Sequence, residues 1–188
     1  MTTMPGSATQ ATGEEPRNGS GRRSLLIDLD RLDLSREILT RRDLEKFNPH
    51  RGQMALIDAI LWQSEDYSEV VGVKRVRHDD FWVPGHFPQK PMMPGVLMIE
   101  AGAQASCYQY NVRLEKPVTA AFLRIEDAVF RSTVEPGDEL LVLSRDVKFS
   151  RRRFISDIQG VVREADQWRI AFEARITGVA FDPPVMGT

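Results

Sequence analysis

The sequence predicts an α+β domain in which an antiparallel sheet packs on one long helix. Three observations lead there. Only one stretch, Gly95 to about Tyr110, reads as a substantial helix. Short segments that alternate apolar and polar residues lie on both sides of it. Turn residues separate these segments, most clearly at Pro136-Gly137. The resulting order is ββ-α-ββββ, about six strands against a central helix.

Taken from the N-terminus, residues 1–23 form a tail. Its first 21 residues contain no Val, Ile, Leu, Phe, Tyr or Trp, so they cannot offset their ordering entropy by burial and are expected to be disordered. Residues 24–46 are a charged lead-in of short apolar groups set between charges. Within it, Thr40 followed by Asp43, Leu44 and Phe47 predicts a short capped helix. The main domain is expected over 47–182. Met54 to Gln63 and Ser68 to Val76 read as strands, followed by a Pro- and Gly-rich loop from Asp79 to Pro94 and then the helix. Thr119 to Arg131, Glu139 to Phe149, Phe154 to Arg163 and Trp168 to Phe181 are the later strands. Pro136 and Gly137 suit the two central positions of a type II turn.

Composition narrows the function classes. A chain of 188 residues and 21.3 kDa suits one domain with a tail. With 25 Lys+Arg against 27 Asp+Glu the formal charge is −2, so the global basic excess of a nucleic-acid binder is missing. The single Cys107 excludes an intrachain disulfide and a zinc site built on several thiolates. No apolar run approaches the ~20 residues of a membrane span. The N-terminus also lacks the apolar core of a secretory signal, so a cytoplasmic protein is expected.

The helix itself is unusual. VLMIEAGAQASCYQY is apolar or small for most of its length and should be buried nearly all round. Ala101, Gly102, Ala103 and Ala105 would let a sheet approach its backbone closely. Within that setting Glu100 and Gln104 stand four residues apart, on one face. A carboxylate buried without a partner is costly, so Glu100 calls for a compensating role.

Residues 81–105 concentrate the chemistry. His86 lies in a loop stiffened by Pro84, Pro88, Pro91 and Pro94. Gly95 opens the helix, where free N–H groups and the helix dipole favour developing negative charge. Glu100 is one turn further in. A base near neutrality, an oxyanion donor and a desolvated acid suit proton abstraction α to a carbonyl, or elimination of a hydroxyl. A thioester carbonyl already acidifies its α carbon, so no metal is required for such a substrate.

These residues resemble a known family. The run GHFPQKPMMPGVLMIEAGAQ is similar to the central motif of 3-hydroxyacyl-[acyl-carrier-protein] dehydratases of the FabA/FabZ type, which have the hotdog fold. PHRGQMALIDAIL, from Pro49 to Leu61, resembles the family's strand opening, and VEPGDEL, from Val134 to Leu140, its turn. The resemblance covers roughly residues 46 to 180. It implies that His86 and Glu100 are the catalytic pair, with Glu at this position pointing to the FabZ-like branch. It further implies that the Gly95 N–H holds the thioester oxygen and that Gln104 hydrogen-bonds the acid. A homodimer, or a trimer of such dimers, would follow, with the His of one subunit facing the acid of the other. No cofactor is implied; phosphopantetheine would arrive on the acyl carrier protein as part of the substrate. Gln89-Lys90 and Gly52-Gln53-Met54 depart from the family pattern at places that bear on acyl-chain preference.

Other polar features have plainer readings. His50-Arg51 is expected to order a turn, and His78 to sit in a solvated loop. Tyr108 and Tyr110 suggest interface packing. Arg151, Arg152 and Arg153 form either a wet hairpin or a basic docking patch for an acidic carrier. The alternatives to a dehydratase are a hotdog acyl-thioesterase and a non-catalytic acyl-binding hotdog subunit.

Overall fold

The computed structural model describes residues 24–181. The predicted tail at 1–23 and the last position of the predicted 47–182 domain lie outside the described residues. Strands β1 (Leu39–Thr40), β2 (Ala59–Gln63) and β3 (Glu69–Arg75) precede the long helix, and a one-turn helix α1 (Arg41–Leu44) follows β1. The long helix is α2 (Gly95–Asn111). After it come β4 (Thr119–Phe130), β5 (Glu139–Ser150), β6 (Arg153–Glu164) and β7 (Gln167–Phe181). One antiparallel sheet has the order β1-β2-β3-β5-β6-β7-β4. This is the hotdog fold, with α2 packed across β3, β5, β6 and β7. Among the described residues, no helix is long and apolar enough to cross a membrane.

Two expectations about strands need correction. Among the described residues the sheet has seven strands, because the lead-in adds the two-residue β1 beside β2. The first strand of the main domain begins at Ala59 rather than Met54. Gly52–Met54 forms a 3-10 turn, with Gly52 at φ +58°, and the amides that follow bond elsewhere. Leu56 N–H donates to the Gln104 side chain at 2.8 Å, and bonding to β3 starts only with the Asp58 amide, which donates to the Val73 carbonyl at 2.8 Å. The short helix keeps its predicted cap: Thr40 accepts from the Asp43 amide while Asp43 accepts from the Thr40 amide.

Small residues in α2 have the expected use. A Cβ on Gly102 would lie 2.5 Å from Ile158 Cδ1, so helix and sheet meet there through a bare Cα. Tyr108 and Tyr110 do not pack at an interface. Both are fully buried in the single chain, where their hydroxyls donate to the Gln63 side chain and the Arg151 carbonyl. A buried phenol needs such an acceptor, so the polar tips are satisfied internally.

The outer face of the sheet is covered by the lead-in. Ile27 and Leu29 are buried against Ala59, Leu61, Val71, Val73, Leu141, Leu143 and Val161. Full burial of such a side chain contributes roughly 1.5–3 kcal/mol. Polar contacts fix the register of this strap: Leu26 N–H donates to Gln159 at 2.9 Å, and Trp168 Nε1–H donates to Asp30 at 3.1 Å. The lead-in charges therefore punctuate a segment whose Leu25, Leu26, Ile27, Leu29, Leu32 and Leu34 pack on the sheet.

Candidate active site

The His86 loop is built outward from β3. Lys74, only 2% exposed, pairs with Asp80 at 2.9 Å, and Asp80 also accepts from the Arg77 amide. The buried Trp82 then turns the chain, its carbonyl accepting from the Gly85 and His86 amides. Met92 N–H donates to the His86 carbonyl, and Met93 N–H donates to the Val134 carbonyl at 2.7 Å. These bonds close the loop around the imidazole.

The ring has a defined tautomer. His86 Nδ1 lies 2.8 Å from the Met92 carbonyl oxygen, which can only accept. Nδ1 therefore carries a proton, and in the neutral ring Nε2 keeps the free lone pair that a general base requires. The ring borders an open cavity of about 520 Å³ lined mostly by apolar groups, including Met93, Gly95, Met98 and Phe130. Gly95 is needed in this wall, since a Cβ there would lie 2.7 Å from the Phe130 ring. The helix starts without a side-chain cap at Pro94, so no capping side chain takes the first-turn amides.

Glu100 stands in a different setting. Its carboxylate borders a cavity of about 160 Å³ shared with His50, Ala103, Cys107, Phe154 and Gly178, among others. Gln104, 2% exposed, donates through Nε2 to Glu100 Oε1 at 2.9 Å and to the Met54 carbonyl at 2.7 Å. The Leu56 amide donates back to Gln104 Oε1, so the amide orientation is fixed at both ends. His50 Nε2 lies 3.2 Å from the same Glu100 oxygen. Burial, followed by the neighbouring Glu100 charge, pushes the Cys107 thiol up to about 12, so it stays protonated and unreactive at neutral pH.

The predicted site residues thus fall into two groups. His86 and Gly95 share one cavity, whereas Glu100 and its partner Gln104 belong with the other, and the two linings have no residue in common. Arg151, Arg152 and Arg153 are exposed at the β5–β6 hairpin and line neither cavity. His50 was missed. It does not merely order a turn: it touches the acid.

The chain is similar to proteins of one known family. Residues 48–172 match the family model described as the FabA-like domain. The chain is 35% identical over 161 residues to a 3-hydroxyacyl-[acyl-carrier-protein] dehydratase FabZ of Caulobacter sp., covering 80% of this chain and 93% of the relative. It is 42% identical over 104 residues to the FabZ of Halalkalibacterium halodurans, covering 55% and 74%. Among solved structures, the dehydratase heterocomplex ApeI:P from Xenorhabdus doucetiae superposes with a TM-score of 0.62 at 16% identity, covering 74% of this chain and 91% of that one. The Campylobacter jejuni virulence protein Cj0977 gives 0.54 at 14% identity, covering 82% and 94%. At such identities the two structures speak for the fold alone.

Proposed function

The chain belongs to the FabA-like family, and we infer that it is a 3-hydroxyacyl-[acyl-carrier-protein] dehydratase of the FabZ branch, converting 3-hydroxyacyl thioesters to trans-2-enoyl thioesters in fatty-acid biosynthesis. The observation that carries the mechanism is the tautomer of His86, whose ring borders an apolar cavity at the start of α2. In this reading Nε2 takes the C2 proton of the substrate. The Gly95 N–H receives the negative charge that develops on the thioester oxygen. Glu100 protonates the departing hydroxyl, giving water. The thioester supplies the acidity of C2, so the elimination draws on no cofactor, and phosphopantetheine arrives with the acyl carrier protein.

The separation of the two cavities supports a homodimer with shared sites. β4 is the last strand of the sheet, and its unpaired edge carries the exposed side chains of Phe122, Leu123, Ile125, Val129 and Phe130. Val96, 74% exposed in the first turn of α2, adds to this apolar surface. A second copy placed along β4 covers it and brings the partner's acid to the His86 cavity. The exposed Arg151, Arg152 and Arg153 offer charge complementarity to an acidic carrier. The enzyme works in the cytoplasm, where its carrier-bound substrates are made.

Purified protein given 3-hydroxyacyl-carrier thioesters of several lengths should produce enoyl absorbance. Mixing inactive His86→Ala and Glu100→Gln subunits should restore part of that activity, because a hybrid dimer regains one complete site. No recovery after proven subunit exchange would place each site within a single chain.

A further inference from the structure

The loop before β2 crosses α2 and meets it through polar contacts. Asn48 donates to the Gln104 carbonyl at 2.8 Å, Gln104 donates to the Met54 carbonyl, and the Leu56 amide donates to Gln104. His50 lies within this crossing, a quarter exposed through its side chain, with Nε2 3.2 Å from Glu100 Oε1. Its other nitrogen, Nδ1, is buried with no hydrogen-bond partner among the described residues.

That asymmetry decides the state of the ring. A proton on Nδ1 would be an N–H buried without an acceptor. The neutral ring with its proton on Nε2 leaves only a lone pair unsatisfied and points a donor at the carboxyl group. Glu100 Oε1 then accepts from Gln104 at 2.9 Å and lies 3.2 Å from His50 Nε2. The carbonyl oxygen is the better acceptor of a protonated carboxyl group, so an oxygen so placed favours the proton on Oε2.

We propose that His50 is a positioning residue for the acid. Through a hydrogen bond from Nε2–H to Oε1 it confines the transferable proton of Glu100 to Oε2 and steadies the carboxylate left after that proton is given up. The inference rests on the reading of Glu100 as the acid of the dehydration. No proton leaves His50. The proton passes from Oε2 to the departing hydroxyl, and the negative charge left behind is shared with Oε1, where the two N–H bonds strengthen as it appears. Bonds to a charged group are roughly twice as strong as neutral ones, so their effect falls on the chemical step more than on substrate binding.

The test has a spectroscopic arm and a kinetic arm. Long-range proton–nitrogen NMR of the imidazoles in the wild-type protein, assigned with His50→Gln, should show His50 protonated at Nε2 and bare at Nδ1. In steady-state assays His50→Leu should lower kcat by about tenfold or more with little change in KM. His50→Gln, whose side-chain amide can donate to the same oxygen, should recover to within a few-fold of wild type, on the order of one retained hydrogen bond. A His50 proton on Nδ1, a His50→Leu enzyme with wild-type kcat, or a His50→Gln enzyme as slow as His50→Leu would each overturn the proposal. A wild-type protein without dehydratase turnover would instead sink the functional reading, and the NMR spectrum would still decide the contact.

Discussion

His86 sits in a loop whose shape depends on backbone bonds, whereas Glu100 sits on a helix and is held between a side chain of that helix and one from a segment crossing it. The base keeps one hydrogen bond, to the Met92 carbonyl, and borders an open apolar cavity. The acid keeps contacts to Gln104 and His50 and borders a smaller one. The difference follows from the chemistry asked of each group. A base must present a bare lone pair, so a single donor interaction that fixes the tautomer suffices. An acid that ends the step as an anion benefits from donors already in place, as preorganised electrostatics requires.

The comparison breaks most sharply if either group proves dispensable. His86→Ala and Glu100→Gln should each cut kcat by ~10²–10⁴-fold, the usual range for general acid–base roles, with the fold retained by circular dichroism. Wild-type rates in either folded variant would remove it from the mechanism.

Asp58 tests what the two regions share. It accepts from Arg41, from Arg77 at the root of the His86 loop, and from the Arg75 amide. Burial alone would raise its pKa, but the hydrogen bonds from Arg77 and Arg75, with the charges of Arg41 and Lys74, hold it below the ordinary carboxylate value. Because the folded-state pKa is depressed, this stabilisation is complete above the unfolded value of about 4 and is lost as pH falls through the folded one. Asp58→Asn should cost about 2–3 kcal/mol at neutral pH, between exposed and buried ion pairs, and should flatten the acid side of the stability profile measured by urea unfolding.

Gly95 tests the wall on the His86 side alone. Gly95→Ala forces a Cβ against the Phe130 ring and should cost about 1–3 kcal/mol as overpacking, with a matching loss of activity. Adding Phe130→Leu should recover part of both, since the obstacle is the ring edge. An unaffected Gly95→Ala enzyme would mean that Phe130 moves freely there.

The smallest effect is expected at the hairpin. Replacing Arg151, Arg152 and Arg153 with Gln should raise KM for carrier-bound substrate more than for a short thioester mimic, by a few-fold, on the order of an exposed-charge effect. The gap should narrow as salt is added. Equal losses on both substrates would indicate damage to the strand rather than to carrier docking.

Much of this was legible in the residues. The ends of β3, α2, β5, β6 and β7 fall within a residue or two of their patterns, because alternating burial and turn residues are local signals. The Gln104–Glu100 bond follows from helical spacing alone. His50 left no such trace: its contact spans fifty positions in sequence, and only the crossing of a loop over α2 creates it. The β2 start was misjudged for the same reason, since the Leu56 amide bonds to Gln104 instead of a strand. The strap was half hidden, its Leu and Ile residues broken up by charges that face water. The division of the site into two cavities belongs to the packing of β4 against β7, which no short window reports.

The sheet order has a consequence for how the protein is made. β4, the first strand after α2, pairs only with β7, the last strand in the described chain. As the chain leaves the ribosome, β4 must wait unpaired while β5, β6 and β7 are synthesised. The wall of the acid's cavity joins Ala120, Ala121 and Phe122 to Ile176 and Gly178, so it closes only when translation has passed residue 178. A nascent chain halted before that point would expose the apolar strand Thr119–Phe130 without a neighbour, the condition under which unfinished chains associate with one another. Chains arrested at 165 should therefore be held by chaperones or aggregate, whereas chains arrested beyond 181, with a spacer filling the exit tunnel, should acquire protease resistance across β4.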